Sequence, residues 1–143
     1  MSRIFWDTNL FIYLFEDDEE NKELTQMVED LRRKMLKRGD ELLTSTMTLG
    51  EILVKPMNRG DSAVCRLYEE TISANALLVP FDQKVARRYA AIRCTTTIKG
   101  PDAIQLACAS EAKVDLFVTN DNRLYGKQIE GVQFIVALDR VPI

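Results

Sequence analysis

The order of apolar and polar positions predicts an alternation of strands and helices. Residues 3 to 6, apolar and aromatic around Ile4, Phe5 and Trp6, read as a short buried strand ending at Asp7. A helix is expected directly after it, capped by Asn9 and filled by Leu10, Ile12, Tyr13 and Leu14. The acidic run Glu16-Asp17-Asp18-Glu19-Glu20 suits the N-terminus of a second helix. In that helix Leu24, Met27, Val28, Leu31 and Met35 recur at helical spacing, and Gly39 stands where a stop belongs. Glu41 to Ser45 reads as the second strand, and Thr46 to Lys55 as a short helix that stops before Pro56. Residues 62 to 74 give an amphipathic helix with Val64, Leu67, Tyr68, Thr71 and Ile72 on one stripe, and Ala76 to Phe81 a third strand. Asp82 caps a helix whose period runs through Val85, Ala86, Tyr89, Ile92 and Arg93 until Thr95-Thr96-Thr97 breaks it. Gly100-Pro101-Asp102 opens the next helix with Pro at its favoured first position, and Ile104, Ala107, Cys108 and Ala112 are its expected buried side. Leu116 to Val118 is a fourth strand, and Phe134 to Leu138 a last one after Gly131. Such alternation implies a parallel sheet covered on both faces.

Length and composition narrow this to one soluble unit. A chain of 143 residues matches a single domain, expected over residues 1–143, with no repeat, linker or low-complexity tract. Hydrophobic residues at 46% and charged residues at 29% are ordinary for a globular protein. The longest uncharged stretches, such as Thr71 to Phe81, are too short to span a bilayer. Asp7 interrupts any signal-peptide core near the start, so a cytoplasmic location is expected. Cys65, Cys94 and Cys108 form no metal or redox pair and read as reduced filler. The net charge of −3 argues against coating nucleic acid through bulk positive charge. Local runs of both signs, the acidic one above and Arg32, Arg33, Lys34, Lys37 and Arg38, read as solvated helix faces and caps.

Histidine is absent, which removes Ser-His-Asp hydrolysis, Cys-His proteolysis and histidine-driven cleavage of RNA together. A hydrolase of this composition has to use carboxylates and metal. In open parallel sheets ligands bind beyond the carboxyl ends of the strands, where strand order reverses. Asp7 ends the first strand and Asp121 follows the fourth, so both reach one crevice if those strands are neighbours. Glu51 and Asp102 lie on helices able to project toward the same edge. Four such acids repel unless a cation or raised pKa values relieve them, and an all-oxygen set suits hard ions such as Mg²⁺ or Mn²⁺. Taken singly, each acid has a plainer role: a strand-end turn for Asp7, the helix dipole for Asp102, an Asx turn for Asp121, a solvated helix position for Glu51. Shared placement is what separates the two accounts.

Four segments taken together resemble the motifs of PIN domains, especially VapC-like toxins. They are Phe5-Trp6-Asp7-Thr8-Asn9, Thr48-Leu49-Gly50-Glu51, Pro101-Asp102-Ala103-Ile104-Gln105-Leu106-Ala107 and Val118-Thr119-Asn120-Asp121. The resemblance extends over essentially the whole chain. It implies a three-layer α/β/α sandwich with a parallel five-stranded sheet of order 3-2-1-4-5, which makes strands one and four neighbours. It further implies Mg²⁺- or Mn²⁺-dependent endoribonuclease activity, a homodimer, and a small cognate antitoxin as partner. By the same resemblance Asp7, Glu51, Asp102 and Asp121 form the metal-ligand and catalytic set, with Thr8, Asn9, Thr119 and Asn120 as supporting positions.

Other readings are a non-catalytic RNA- or protein-binding module on the same fold and a housekeeping RNA-processing nuclease. An aspartyl-phosphate enzyme also places Asp after its first strand, but Asp7-Thr8-Asn9 lacks the second acid two residues on.

Overall fold

A computed structural model describes residues 1–16 and 18–143; Asp17, part of the acidic run, lies outside them. Five strands, β1 (Arg3–Trp6), β2 (Glu41–Ser45), β3 (Leu77–Val79), β4 (Val114–Thr119) and β5 (Val132–Ala137), form one sheet of order β3-β2-β1-β4-β5. All its pairings are parallel, with Ile4 facing Leu42 on one side and Leu116 on the other. The centre of the sheet is therefore the short apolar segment at the start of the chain. Strand order reverses between β1 and β4, as the family resemblance implied.

Helices α1 (Thr8–Phe15), α2 (Lys22–Arg38), α3 (Thr46–Asn58) and α4 (Ser62–Asn75) bring apolar residues to one face of the sheet. Helices α5 (Gln83–Thr95) and α6 (Gly100–Ala112) cover the other. The alternation of side chains along β1 divides the core accordingly. Ile4 and Trp6 pack with Leu10, Val28, Met35 and Ile72, whereas Phe5 packs with Val85, Leu106 and Phe117. Phe5 and Phe117 stack at 5.2 Å between ring centres across the β1–β4 pair. Burying each such ring contributes about 2–3 kcal/mol, so the neighbour relation that joins the carboxyl ends of β1 and β4 is among the best-packed parts of the molecule.

Several boundaries depart from expectation. Helix α1 is capped by Asp7, whose side chain accepts the Thr8 amide, and not by Asn9, which lies inside it. The acidic run forms a short 3-10 turn at Glu19–Asn21, and α2 starts at Lys22. Helix α3 runs through Pro56 to Asn58. Because Pro56 falls in the last turn it removes a single helical bond, while its carbonyl accepts the Asp61 amide at 2.9 Å. Strand β3 is only Leu77–Val79, β4 begins earlier at Val114, and β5 spans Val132–Ala137. Leu67 is exposed and Ile104 half-buried, while Ala103, Leu106 and Ala109 join Ala107 and Cys108 inside. Helix α6 is wedged between the sheet and α5, so it is buried on more sides than one stripe. Cys94 is exposed, against its reading as core filler. Among the described residues no helix is long and apolar enough to cross a membrane.

Gly131 opens β5 with φ +87°, and a Cβ there would clash with the Ser110 carbonyl oxygen and lie 3.0 Å from Ser110 Oγ. Gly131→Ala should therefore destabilise the fold by about 3 kcal/mol in denaturant melts, combining left-handed strain with overpacking. Gly39→Ala, at φ +76° with open space around it, should cost only about 1 kcal/mol. Equal losses at the two glycines would contradict this.

Candidate acidic site at the carboxyl edge of the sheet

The end of β1 delivers Asp7 to a position beside β4, where its amide donates to the Val118 carbonyl at 3.0 Å. Only 7% of the residue is exposed. Its carboxylate is held by the Thr8 amide (2.8 Å to Oδ1), the Thr119 hydroxyl (2.8 Å to Oδ2) and, more distantly, Gln105 Nε2 (3.4 Å to Oδ1). Burial nonetheless pushes Asp7 up to about 6; the hydrogen bonds from Thr119 and Thr8 oppose the shift, and the charges of Asp102 and Glu51 add to it. The same aspartate thus caps α1 and carries a charge that the site disfavours.

The other three acids come from three further elements. Glu51, exposed on α3, accepts the Thr8 hydroxyl at Oε1 (2.7 Å). Asp102, in the first turn of α6, is raised by burial and by the charge of Asp121, with Arg123 and Lys99 opposing. Asp121, just beyond β4, is lowered by hydrogen bonds from Arg123, whose Nε and Nη2 reach it at 2.9 and 2.6 Å. Arg123 Nη2 also stands 3.8 Å from Asp102. The acids therefore form an electrostatic series, Glu51 with Asp7, Asp7 with Asp102, Asp102 with Asp121, around one end of the sheet. Among the described residues no three acidic or thiol groups close on a single point as a ready metal cage.

Of the supporting positions, Thr8 and Thr119 contact acids directly. Thr119 Oγ1 also accepts the Asp121 amide at 3.1 Å, so one hydroxyl ties the ends of β1 and β4 together. Asn9 Nδ2 lies 3.4 Å from Thr119 Oγ1, and its Oδ1 is buried with no donor among the described residues. Asn120 is exposed and donates instead to the Tyr13 hydroxyl at 2.9 Å, fixing the loop to α1. Beside these acids, the Asn9 Oδ1 that lacks a donor among the described residues suits a cation.

Sequence reasoning missed two residues. Arg123 is the cation between Asp102 and Asp121; its place two residues after an acid at a strand end was a usable signal. Gln105, 2% exposed on α6, bonds Thr8 and Thr48 at 2.8 Å each and Ser45 besides. A polar residue amid the packed side of an expected helix was the signal there.

A parallel sheet of this order, flanked by helices on both faces, defines an α/β domain with acids gathered at its reversal point. The PIN domain model matches residues 4–129, and the chain belongs to that family. Similar solved structures include VapBC2 from Rickettsia felis bound to a DNA fragment from their promoter, with 13% identity, TM-score 0.72, and 94% and 98% of the two chains covered. DNA-bound VapBC from Salmonella typhimurium gives 19% identity, TM-score 0.70 and coverage of 96% and 99%. A toxin-antitoxin complex from Klebsiella pneumoniae gives 24%, 0.63, and 90% and 94%. These likenesses show the fold. No curated protein sequence matches the chain.

With Asp7 at about 6 when folded and near 3.8 when unfolded, its proton stabilises the metal-free protein fully below pH 4. That stabilisation, of order 3 kcal/mol, is lost as pH rises through 6. Melting in a chelator should thus show declining stability from pH 4 to 7. Asp7→Asn, which still caps α1, should flatten the decline and be at least as stable as the parent at pH 7. A strongly destabilised Asp7→Asn would mean that the charge itself holds the fold.

Proposed function

We propose that this chain is a divalent-metal-dependent endoribonuclease, acting in the cytoplasm as the toxin of a type II toxin-antitoxin pair. The observation that carries the catalytic part is the charge balance at the sheet edge. Asp7 and Asp102 are both raised by burial and by neighbouring acids, and a single guanidinium, exposed for most of its length, meets the cluster at Asp121. An oxygen-rich acidic cluster of this kind fits a hard divalent cation better than it fits a proton at neutral pH.

On this reading Asp7, Glu51, Asp102 and Asp121 would hold Mg²⁺ or Mn²⁺. Such an ion supplies a water of lowered pKa and neutralises charge on a phosphodiester. The protein's own contribution is positioning. Asp7 is immobilised by the Thr8 amide and the Thr119 hydroxyl, so its carboxylate needs little reorganisation to act as a ligand. The Thr8 hydroxyl presents Glu51 toward the same hollow. With no histidine in the chain, proton transfer falls to water and carboxylates. Arg123 neutralises Asp121 in the metal-free protein and is free to turn to substrate phosphate once Asp121 is otherwise engaged.

The toxin assignment rests on the family and on neighbours described as toxin-antitoxin complexes, from which a small antitoxin partner is also inferred; the homodimeric state rests on the motif resemblance. A non-catalytic binding module is favoured by one observation, the absence of a closed cage among the described residues. Arg123 accounts for that openness, because its grip turns Asp121 toward the guanidinium.

Incubating the purified chain with single-stranded RNA and Mn²⁺ should yield cleavage that a chelator stops and that Asp102→Asn lowers at least 100-fold. Arg123→Ala should bind Mn²⁺ several-fold more tightly by calorimetry, since a competing cation is gone. No Mn²⁺ binding by the parent chain would favour the module. Metal-dependent cleavage without growth arrest on expression would favour a housekeeping nuclease.

A further inference from the structure

One polar side chain inside the helical layer has more hydrogen-bond partners than any fold requirement explains. Gln105 projects from α6 and meets Ser45 at the end of β2, Thr48 in the first turn of α3, and Thr8 in the first turn of α1. Its partners belong to three elements that meet beside the acidic site.

The protons in this cluster can be assigned one by one. Ser45 donates to Gln105 Oε1, leaving both amide hydrogens of Nε2 for Thr8 and Thr48. Thr44 donates to the Trp6 carbonyl at 2.9 Å. The same hydroxyl also donates to Thr48 at 2.8 Å, so Thr48, receiving from both Thr44 and Gln105, has its own proton left for the Thr8 oxygen 3.0 Å away. Thr8 thus receives from Gln105 and Thr48 and has one proton to give, which goes to Glu51 Oε1 at 2.7 Å. The flipped amide fails, because its oxygen would face Asp7 Oδ1 at 3.4 Å and Ser45 would lose its acceptor.

We propose that Gln105 is a positioning residue for the acidic site, rather than a packing residue of α6. By filling the acceptor sites of Thr8 and Thr48 with its amide protons, it forces the Thr8 hydroxyl to donate outward to Glu51. Glu51 has the longest side chain of the four acids and is the one exposed to solvent, so it has most to gain from being preset. The inference rests on the proposed metal site, which gives that presetting a purpose.

The test compares Gln105→Met, close in volume but without the amide, and Gln105→Glu, whose oxygens would draw the Thr8 proton inward. Both should weaken Mn²⁺ binding about tenfold or more by calorimetry and lower kcat on RNA, with KM for RNA little changed. Thr8→Val should reproduce the loss, Thr8→Ser should restore most of it, and Gln105→Met should add nothing to Thr8→Val. A merely structural Gln105 would lower the melting temperature while leaving Mn²⁺ affinity and the kcat/KM split alone, and that result overturns the proposal. Should the parent chain bind no Mn²⁺, the nuclease reading falls and metal-free melts decide this one separately. Gln105→Met and Glu51→Ala must then be non-additive by about 3 °C, roughly the shift a charge-assisted hydrogen bond gives in a domain of this size. Additive shifts overturn the relay.

Discussion

The architecture of the site follows from keeping one carboxylate, that of Asp7, almost out of water at the point where strand order reverses. Its place is a consequence of the sheet. β1 is central and flanked on both sides by apolar strands, so whatever residue ends it emerges between the ends of β2 and β4. A charged group there costs several kcal/mol unless donors surround it. The donors that do so are few and local: the first amide of α1 and a hydroxyl from the end of β4. They reduce the penalty without removing it, which is why the group remains raised. Helix capping and the strained charge are thus two results of one placement.

Much of this arrangement was legible along the chain. Strand β2 and the stop of α2 at Gly39 coincide with the expected boundaries because their signals, a short apolar run and a left-handed glycine, are local. The convergence of Asp7 with Asp121 required strands one and four to be neighbours. No local signal contains that relation, and the PIN-like motif order supplied it. What failed also has a common cause. Asn9 and Asp7 both suit an N-cap, and the winner was set by where the sheet ended. Pro56 looked like a terminator, yet the last turn of a helix tolerates proline. The partners of Gln105 lie 57, 60, 97 and 98 residues away, so its role is invisible without the fold.

The opposite shifts of Asp102 and Asp121 locate the guanidinium of Arg123 within the site. Two acids at the same end of the sheet, each partly buried, would both be raised by mutual repulsion alone. Asp121 is instead lowered, because Arg123 holds it in a two-pronged contact, while Asp102, 3.8 Å from the same guanidinium, stays raised. Neutralisation reaches one acid and fades before the next. The remaining excess of negative charge belongs to Asp7, Asp102 and Glu51, the side of the pocket reached by the Thr8 and Thr119 hydroxyls and by Gln105.

This division bears on why a metal site would look open in the metal-free protein. Arg123 is anchored mainly by an exposed ion pair, and such pairs are weak because solvent screens them. A divalent ion offers a larger charge at shorter range to acids that cannot move far. Asp7 is locked by capping α1, and Asp102 is carried by the buried helix α6. The two acids carried on rigid elements, Asp7 and Asp102, are raised, whereas Asp121, which Arg123 holds in a two-pronged contact, stands just beyond β4. An open cluster with rigid, raised members and one loosely compensated member is the arrangement that the proposed metal site calls for in the metal-free protein. A surface that merely contacts a partner would have no such reason to keep Asp7 buried.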